Sequence, residues 1–465
     1  MQRDIQRPEW LTGLDASFLN LETAIQPMQM LLVLELDTTT IPGGYTYDQF
    51  RDEMADRIRA IPEFREKLSS RLLNIDHPAW VEDPDFNVQQ HVHRMAVPAP
   101  GGPAELADIC GYLAGLPLNR ARPLWEMWVI EGLDGAPSTE RLSVVIKMHH
   151  AAADGVTFAE LFARLCSTEP DPPTQELVVV PGHDRPIRIA LGGLMRFAAR
   201  PLQLVRKVLP ETVKALRDAY RRAPLGRAMA APFSAPRTVF NSRFTANRNV
   251  AFTRLDLDEV KKVKNHFGVT VNDVVTALVS GAIRQFLLDR HQLPSSSLTA
   301  LVPASVRAPD RLGRNQVSGM ITTLQTQMAD PVVRLKAVAK SNTIAKEHSV
   351  AIGPTLLEDL AQLGGRAIFG TAKRVYGRVT QSRPMYNVVV SSVPGPLGHY
   401  FLGAKITAAY PLGPIMLGAG LNITVAPFDG KLHVGLISCP DVLPDLPEIA
   451  KGMNVGLRQL MAQVG

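Results

Sequence analysis

In the stretch VVIKMHHAAADGVTFAEL, Val144 to Leu161, two adjacent histidines end an apolar run and an aspartate follows four residues later. Three chemistries are open to such a cluster: a metal site, a proton-transfer site, or a plain strand-to-helix turn. In a strand, consecutive side chains point to opposite faces, so His149 and His150 cannot both address one ligand from SVVIKMHH. One is expected to face a cavity and the other the interior. A metal needs three or four converging N, O or S ligands, and only one of these histidines can converge with Asp154. His91 and His93 form an HxH pair, but nothing in the spacing connects them to the later cluster, and no metal is expected. There is no GxSxG elbow, no cysteine near a histidine in sequence, and no Gly-rich phosphate loop. What remains is one histidine acting alone as general base, with Asp154 holding local structure, set against a pair of satisfied structural histidines.

The elements around this cluster read as two α/β halves. RLSVVIKMHH is an apolar strand, Asp154-Gly155 marks a tight turn, and VTFAELFARLC has an apolar helical face that Asp154 can cap. Upstream, LDASFLNLE and DQFRDEMADRIRAIPEFREKL carry helical spacing, and WVEDPDFNVQQHVHRMAVP reads as loop and strand. Proline and polar residues at TEPDPPTQE, Thr168 to Glu176, close this half. Downstream, RNVAFTRLDL is strand-like, LDEVKKVKNHFG is a helix closed by Gly268, and NDVVTALVSGAIRQFLLDR is a longer helix. LTALVPASVR and GMITTLQTQM read as strands, LNITVAPFDGKLHVGLISC as a hairpin turning at Asp429-Gly430, and Pro447 to Ala462 as a final helix. The expected division is 1–168, a basic connection 169–247, and 248–465.

At 465 residues with 46% apolar composition, the chain has material for two large cores. The N-terminus lacks a signal-peptide run and no segment is expected to reach the length of a membrane span, so a cytoplasmic location is expected. Cys110, Cys166 and Cys439 lie far apart, with neither a disulfide framework nor a thiolate metal site indicated. The net charge of +6 is localised: Arg185 to Arg227 holds eleven Lys or Arg against Glu211 and Asp218, a local +9 that leaves the rest near −3. Only Phe197 and Tyr220 are interleaved as aromatics, so nucleic acid is not expected as a partner. Basic residues mixed with Leu, Val and Met at helical spacing suit a helix lying on an anionic membrane or lipid droplet, or equally a linker packed on its own domains.

The HHxxxDG pattern resembles the signature of the acyltransferase superfamily that includes chloramphenicol acetyltransferase, carnitine acyltransferases and peptide-synthetase condensation domains. Further blocks narrow the likeness: LTGLDASFLNLE near the start, PLWEMWVIEGL from Pro123, VNDVVTALVSGAIR from Val271, and NVVVSSVPGP from Asn387. In this order, over nearly the whole chain, they resemble the bacterial wax ester synthase/acyl-CoA:diacylglycerol acyltransferase family. One departure stands at GRNQVSG, where Arg314 separates a glycine from an asparagine expected beside it, so no role is carried onto Asn315.

The resemblance implies two chloramphenicol-acetyltransferase-like domains of mixed sheet flanked by helices, with a tunnel between them. Acyl-CoA is expected as a substrate rather than a cofactor, with diacylglycerol or a long-chain alcohol as acceptor and peripheral attachment to the inner membrane face or a lipid droplet. It implies His150 as the base. His149, Asp154 and Gly155 support it. Asn272 is the candidate oxyanion donor, though Asn272 and Asp273 also suit a helix start. Asp154 is expected to pair with Arg307. Pro123, Leu124 and Trp125 are candidates for substrate contact or for core packing. Rival readings are a wax ester synthase, a polyketide-type acyltransferase, a catalytically silent droplet-coating protein, and a glycerol phosphate acyltransferase, since His149 and Asp154 also satisfy HxxxxD.

Overall fold

The computed structural model describes residues 9–69, 77–133, 140–170, 191–196, 229–305, 314–352 and 383–464, with 206, 210 and 217 as isolated positions. The N-terminal elements are β1 (Glu9–Trp10), α1 (Gly13–Leu21), β2 (Gln29–Asp37), α2 (Tyr47–Arg59), β3 (Glu66–Leu68), β4 (Ala79–Glu82), β5 (Val92–Ala96), α3 (Pro103–Gly115), β6 (Trp125–Glu131), β7 (Arg141–His149), α4 (Gly155–Ala163) and β8 (Cys166–Ser167). The C-terminal elements are β9 (Asn249–Asp256), α5 (Leu257–Phe267), α6 (Val271–Asp289), β10 (Thr299–Ser305), β11 (Val317–Thr323), α7 (Pro331–Ile352), β12 (Val388–Ser392), β13 (Tyr400–Phe401), β14 (Ala404–Leu412), β15 (Leu421–Phe428), β16 (Lys431–Ser438) and α8 (Leu446–Met461). This is the α/β class of mixed sheets flanked by helices that the sequence predicts.

Seven strands form the sheet that carries the double histidine, in the order β5-β6-β7-β2-β14-β13-β8, and six form the second, β11-β10-β12-β15-β16-β9. A small third sheet, β1-β4-β3, lies outside both. Sheet membership does not follow chain order. β14, late in the sequence, pairs antiparallel with β2 from Lys405 opposite Asp37 to Leu412 opposite Leu31, and so ties the C-terminal half into the first sheet.

Period-two alternation on β7 divides two cores. Leu142, Val144, Ile146 and Met148 pack with Leu32, Leu34 and Leu36 in one, while Val145 packs with Leu31 and Val33 in another that continues into α6, β15 and α8. Each such buried aliphatic contributes about 1.5–3 kcal/mol. Where local chemistry is explicit, the elements follow the sequence. Gly268, at φ +66°, ends α5 in the left-handed conformation, and Asp429 and Gly430, at φ +43° and +71°, turn the β15–β16 hairpin. One expectation fails: Val271–Asp289 is 19 residues long and apolar enough, at mean hydropathy 1.2, to cross a membrane by length and composition. That apolarity serves a core, with 67% of its 18-residue apolar window buried in the protein.

Candidate active site

β7 sits between β6 and β2, with Met148 opposite Trp125 and His149 opposite Gln29. The strand ends at His149, and His150 begins the turn into α4. His149 is fully buried. Its Nδ1 accepts from the Ala151 amide at 2.9 Å, which leaves the ring proton on Nε2, 3.4 Å from Glu22 Oε1. Burial lowers the His149 pKa, so the ring is neutral at pH 7. Burial alone would raise Glu22, but His149 and the Arg120 guanidinium outweigh it and hold the carboxylate at about 2. Arg120 donates to that carboxylate from Nε at 2.8 Å.

His150 is half-buried and differently held. Its amide donates to Met28 O at 2.8 Å, and Phe18 stacks on its ring with centroids 4.0 Å apart and planes 18° off parallel. Its Nδ1 lies 3.0 Å from Asn315 Oδ1. The Asn315 amide nitrogen donates twice, to Asp15 Oδ1 and to the His150 carbonyl, both at 2.7 Å. With both acceptors claiming Nδ2, the side-chain oxygen must be the atom facing His150, and Nδ1 must carry the proton. Nε2 is then the unprotonated nitrogen. Burial lowers the His150 pKa, countered in part by Asn315 and by the charge of Asp154, so the neutral imidazole is the resting form.

Asn315 therefore stands at the centre of the cluster, although the sequence alone assigns it no role. The Arg314 insertion explains itself in space. Its guanidinium turns away, donates to Glu9 at 2.9 and 3.0 Å and to Glu66, and lies 4.4 Å over the Trp80 ring, all on the small third sheet. That clamp leaves Asn315 pointing at His150. Also hidden in the sequence is α1 with its C-cap, where Asp15, Phe18 and Glu22 recur at spacings of three and four and reach Asn315, His150 and His149 respectively. The helical spacing within LTGLDASFLNLE was the signal that could have found them.

Asp154 is fully buried and is the N-cap of α4: Oδ1 accepts from the Val156 and Thr157 amides at 3.0 and 2.8 Å, and Oδ2 from the Gln316 amide at 2.9 Å. The same carboxylate thus starts the helix and anchors the segment that delivers Asn315. Arg307, expected as its partner, lies outside the described residues. Gly155 opens α4 rather than forming a turn, and a Cβ there would stand 2.6 Å from Val393 Cγ1. Trp125 is buried with its indole donating to Phe64 O at 2.7 Å, and Leu124 is buried with its carbonyl accepting from the His149 amide at 3.0 Å. Pro123 is buried beside them. The block supports the histidine strand through its backbone. His91 and His93 pack on Trp125 and Trp128. Asn272 is exposed on the first turn of α6 and accepts from Ser392 Oγ at 2.9 Å, one residue before the Val393 that meets Gly155. Asp273 is buried in a capping box with Thr270 and accepts from Asn342 Nδ2 at 2.8 Å, a structural placement.

The double-histidine cluster that ends β7, on a sheet shared by the two halves of the chain, belongs to an α/β acyltransferase of the condensation-domain fold. The chain belongs to the wax ester synthase/diacylglycerol acyltransferase family: it matches the family's catalytic domain over residues 11–275 and its C-terminal domain over 314–461. A Mycobacterium tuberculosis protein that bears the name diacylglycerol O-acyltransferase is 50% identical over 456 residues, spanning 97% of this chain and 90% of its own length. Another of the same name and organism is 32% identical over 98% of this chain and 96% of its own. Among solved structures, a wax ester synthase/diacylglycerol acyltransferase from Marinobacter aquaeolei matches at TM-score 0.70 and 27% identity, covering 98% of this chain and 100% of that one. The first condensation domain of the CDA synthetase matches in fold alone, at TM-score 0.59 and 14% identity, over 99% and 98% of the two chains.

Proposed function

We propose that this acyltransferase moves a long-chain acyl group from acyl-CoA to diacylglycerol, with His150 Nε2 as the only base. The observation that supports it is the Asn315 contact, which keeps the proton on Nδ1 and leaves the Nε2 lone pair free. Nε2 takes the acceptor hydroxyl proton as that oxygen bonds to the thioester carbonyl carbon. The tetrahedral intermediate then expels the thiolate, the C–S bond breaks, and the proton passes from Nε2 to sulfur. A thiol, with an ordinary pKa of about 8.5, is an undemanding leaving group, so one residue serves both steps. No acyl-enzyme is formed. A fatty alcohol presents the same hydroxyl, and the Marinobacter relative is named for both activities, so wax ester synthesis is the second reading. Turnover of labelled acyl-CoA with diacylglycerol and with hexadecanol, side by side, decides between them.

The proposal extends to a cytoplasmic protein held at a membrane or droplet surface. In the described part of the basic stretch, residues 191–196, Gly192 lies close to Trp10 and Arg196 stacks on it at 5.5 Å, while Leu191, Leu194 and Met195 remain exposed. The three exposed apolar side chains are what supports a surface role, and the Trp10 contact is what supports packing on the protein.

A further inference from the structure

Resting on His150 as the base, we infer that Asp15 is a positioning residue for the reaction, acting through Asn315 to hold the His150 proton on Nδ1. Asp15 is 1% exposed and lies 300 residues from Asn315 in sequence. Its two oxygens divide their work. Oδ2 accepts from the Thr12 amide and hydroxyl, both at 2.8 Å, and this completes the capping box of α1. Among the described residues, Oδ1 accepts from Asn315 Nδ2 alone. The second contact is not needed to start the helix.

The contact matters because an asparagine amide is two-faced. Turned by 180°, Asn315 would present its NH2 to His150 Nδ1, which would then have to be the acceptor. The ring proton would move to Nε2, and the lone pair would be lost from the atom that faces the substrate. The His150 carbonyl opposes that turn on one side and Asp15 Oδ1 on the other. A carboxylate oxygen cannot donate, so it admits one orientation only. Burial raises Asp15 to about 6, with the Asn315 and Thr12 donors pulling back, so it is still largely ionised at neutral pH. The second capping box of the same kind shows what is special here: Thr270 and Asp273 open α6, and Asp273 likewise accepts from an asparagine, Asn342, but the Asn342 oxygen accepts from the Thr322 hydroxyl rather than facing a histidine.

The test compares Asp15→Asn with Thr12→Ala in the full chain. An asparagine at 15 can keep the cap only by turning its NH2 towards Asn315, which forces the amide and the tautomer over. Asp15→Asn is expected to lower kcat about 10- to 100-fold with KM for acyl-CoA within about threefold, whereas Thr12→Ala lowers the Tm and leaves kcat within about twofold. The second readout is the 15N spectrum of the imidazoles, with His150 assigned by its loss in His150→Gln. Wild type should show a protonated Nδ1 and bare Nε2, and Asp15→Asn the reverse. A wild-type spectrum with the proton on Nε2, or an Asp15→Asn protein of unchanged kcat and tautomer, overturns the inference. Loss of activity in His150→Gln alongside a fully active Asp15→Asn would remove Asp15 while leaving the base in place.

Discussion

Asn315 grips His150 at two points, taking the Nδ1 proton on its side-chain oxygen at 3.0 Å and donating to the residue's own carbonyl at 2.7 Å. Ring and backbone are held by one amide from the other half of the chain, so this arrangement needs both halves. Asn315→Ala is expected to lower kcat/KM roughly 10- to 100-fold with a folded protein by circular dichroism, since the ring loses its side-chain acceptor for the Nδ1 proton and keeps only its own backbone and the Phe18 stack. Wild-type rates from Asn315→Ala would show that the contact is incidental.

Asp154 supports two segments with one carboxylate, so its loss should be felt as stability first. Asp154→Asn keeps one acceptor oxygen and gives up either the α4 cap or the Gln316 tie. A lost cap costs about 0.5–2 kcal/mol, and the Tm should fall together with the rate. A large rate loss at unchanged Tm would point to direct participation in proton transfer.

Glu22 gives a pH-dependent test of the His149 side. Its folded-state pKa, about 2, lies below the ordinary 4.5, so it contributes stability above pH 4.5 that is lost as pH falls towards 2. Glu22→Gln should therefore unfold more easily than wild type in urea at pH 7, with the gap closing as pH falls below 4.5. A gap independent of pH would mean that the carboxylate is not charged in the fold.

Binding to anionic vesicles tests the surface at 191–196. Replacing exposed Leu191 and Met195 by glutamate should weaken sedimentation with phosphatidylglycerol vesicles while leaving turnover of detergent-dispersed substrate within about twofold of wild type. Equal sedimentation of the two proteins would leave this segment as packing on Trp10 alone.

What the sequence made legible is what local chemistry determines. Gly268, the Asp429-Gly430 turn and the Asp154 cap each rest on a handful of adjacent residues. What it hid lies far apart in the chain. His150 and Asn315 are separated by 165 positions and Asp15 and Asn315 by 300, and no periodicity spans such gaps. Arg314 masked Asn315 because an insertion beside a motif reads as disruption, whereas in space its guanidinium departs to Glu9 and Glu66. Likewise nothing local in Ala404–Leu412 says that its long edge pairs with β2 rather than with β15, the next strand along the chain.

The central claim is that one neutral histidine, His150, moves the proton, and the pH dependence of kcat/KM for wild type beside His150→Ala tests it most directly. Because burial lowers the His150 pKa and the base must be neutral, wild-type kcat/KM should be level at neutral pH and fall on the acid side with a midpoint below 6.5, the charges nearest the ring being those of Asp154 and, behind Asn315, Asp15. His150→Ala should remain folded, bind acyl-CoA, lose on the order of 10² to 10⁴ in turnover, and lose that acid limb. Near-normal turnover in His150→Ala with the limb still present would contradict the single-base mechanism.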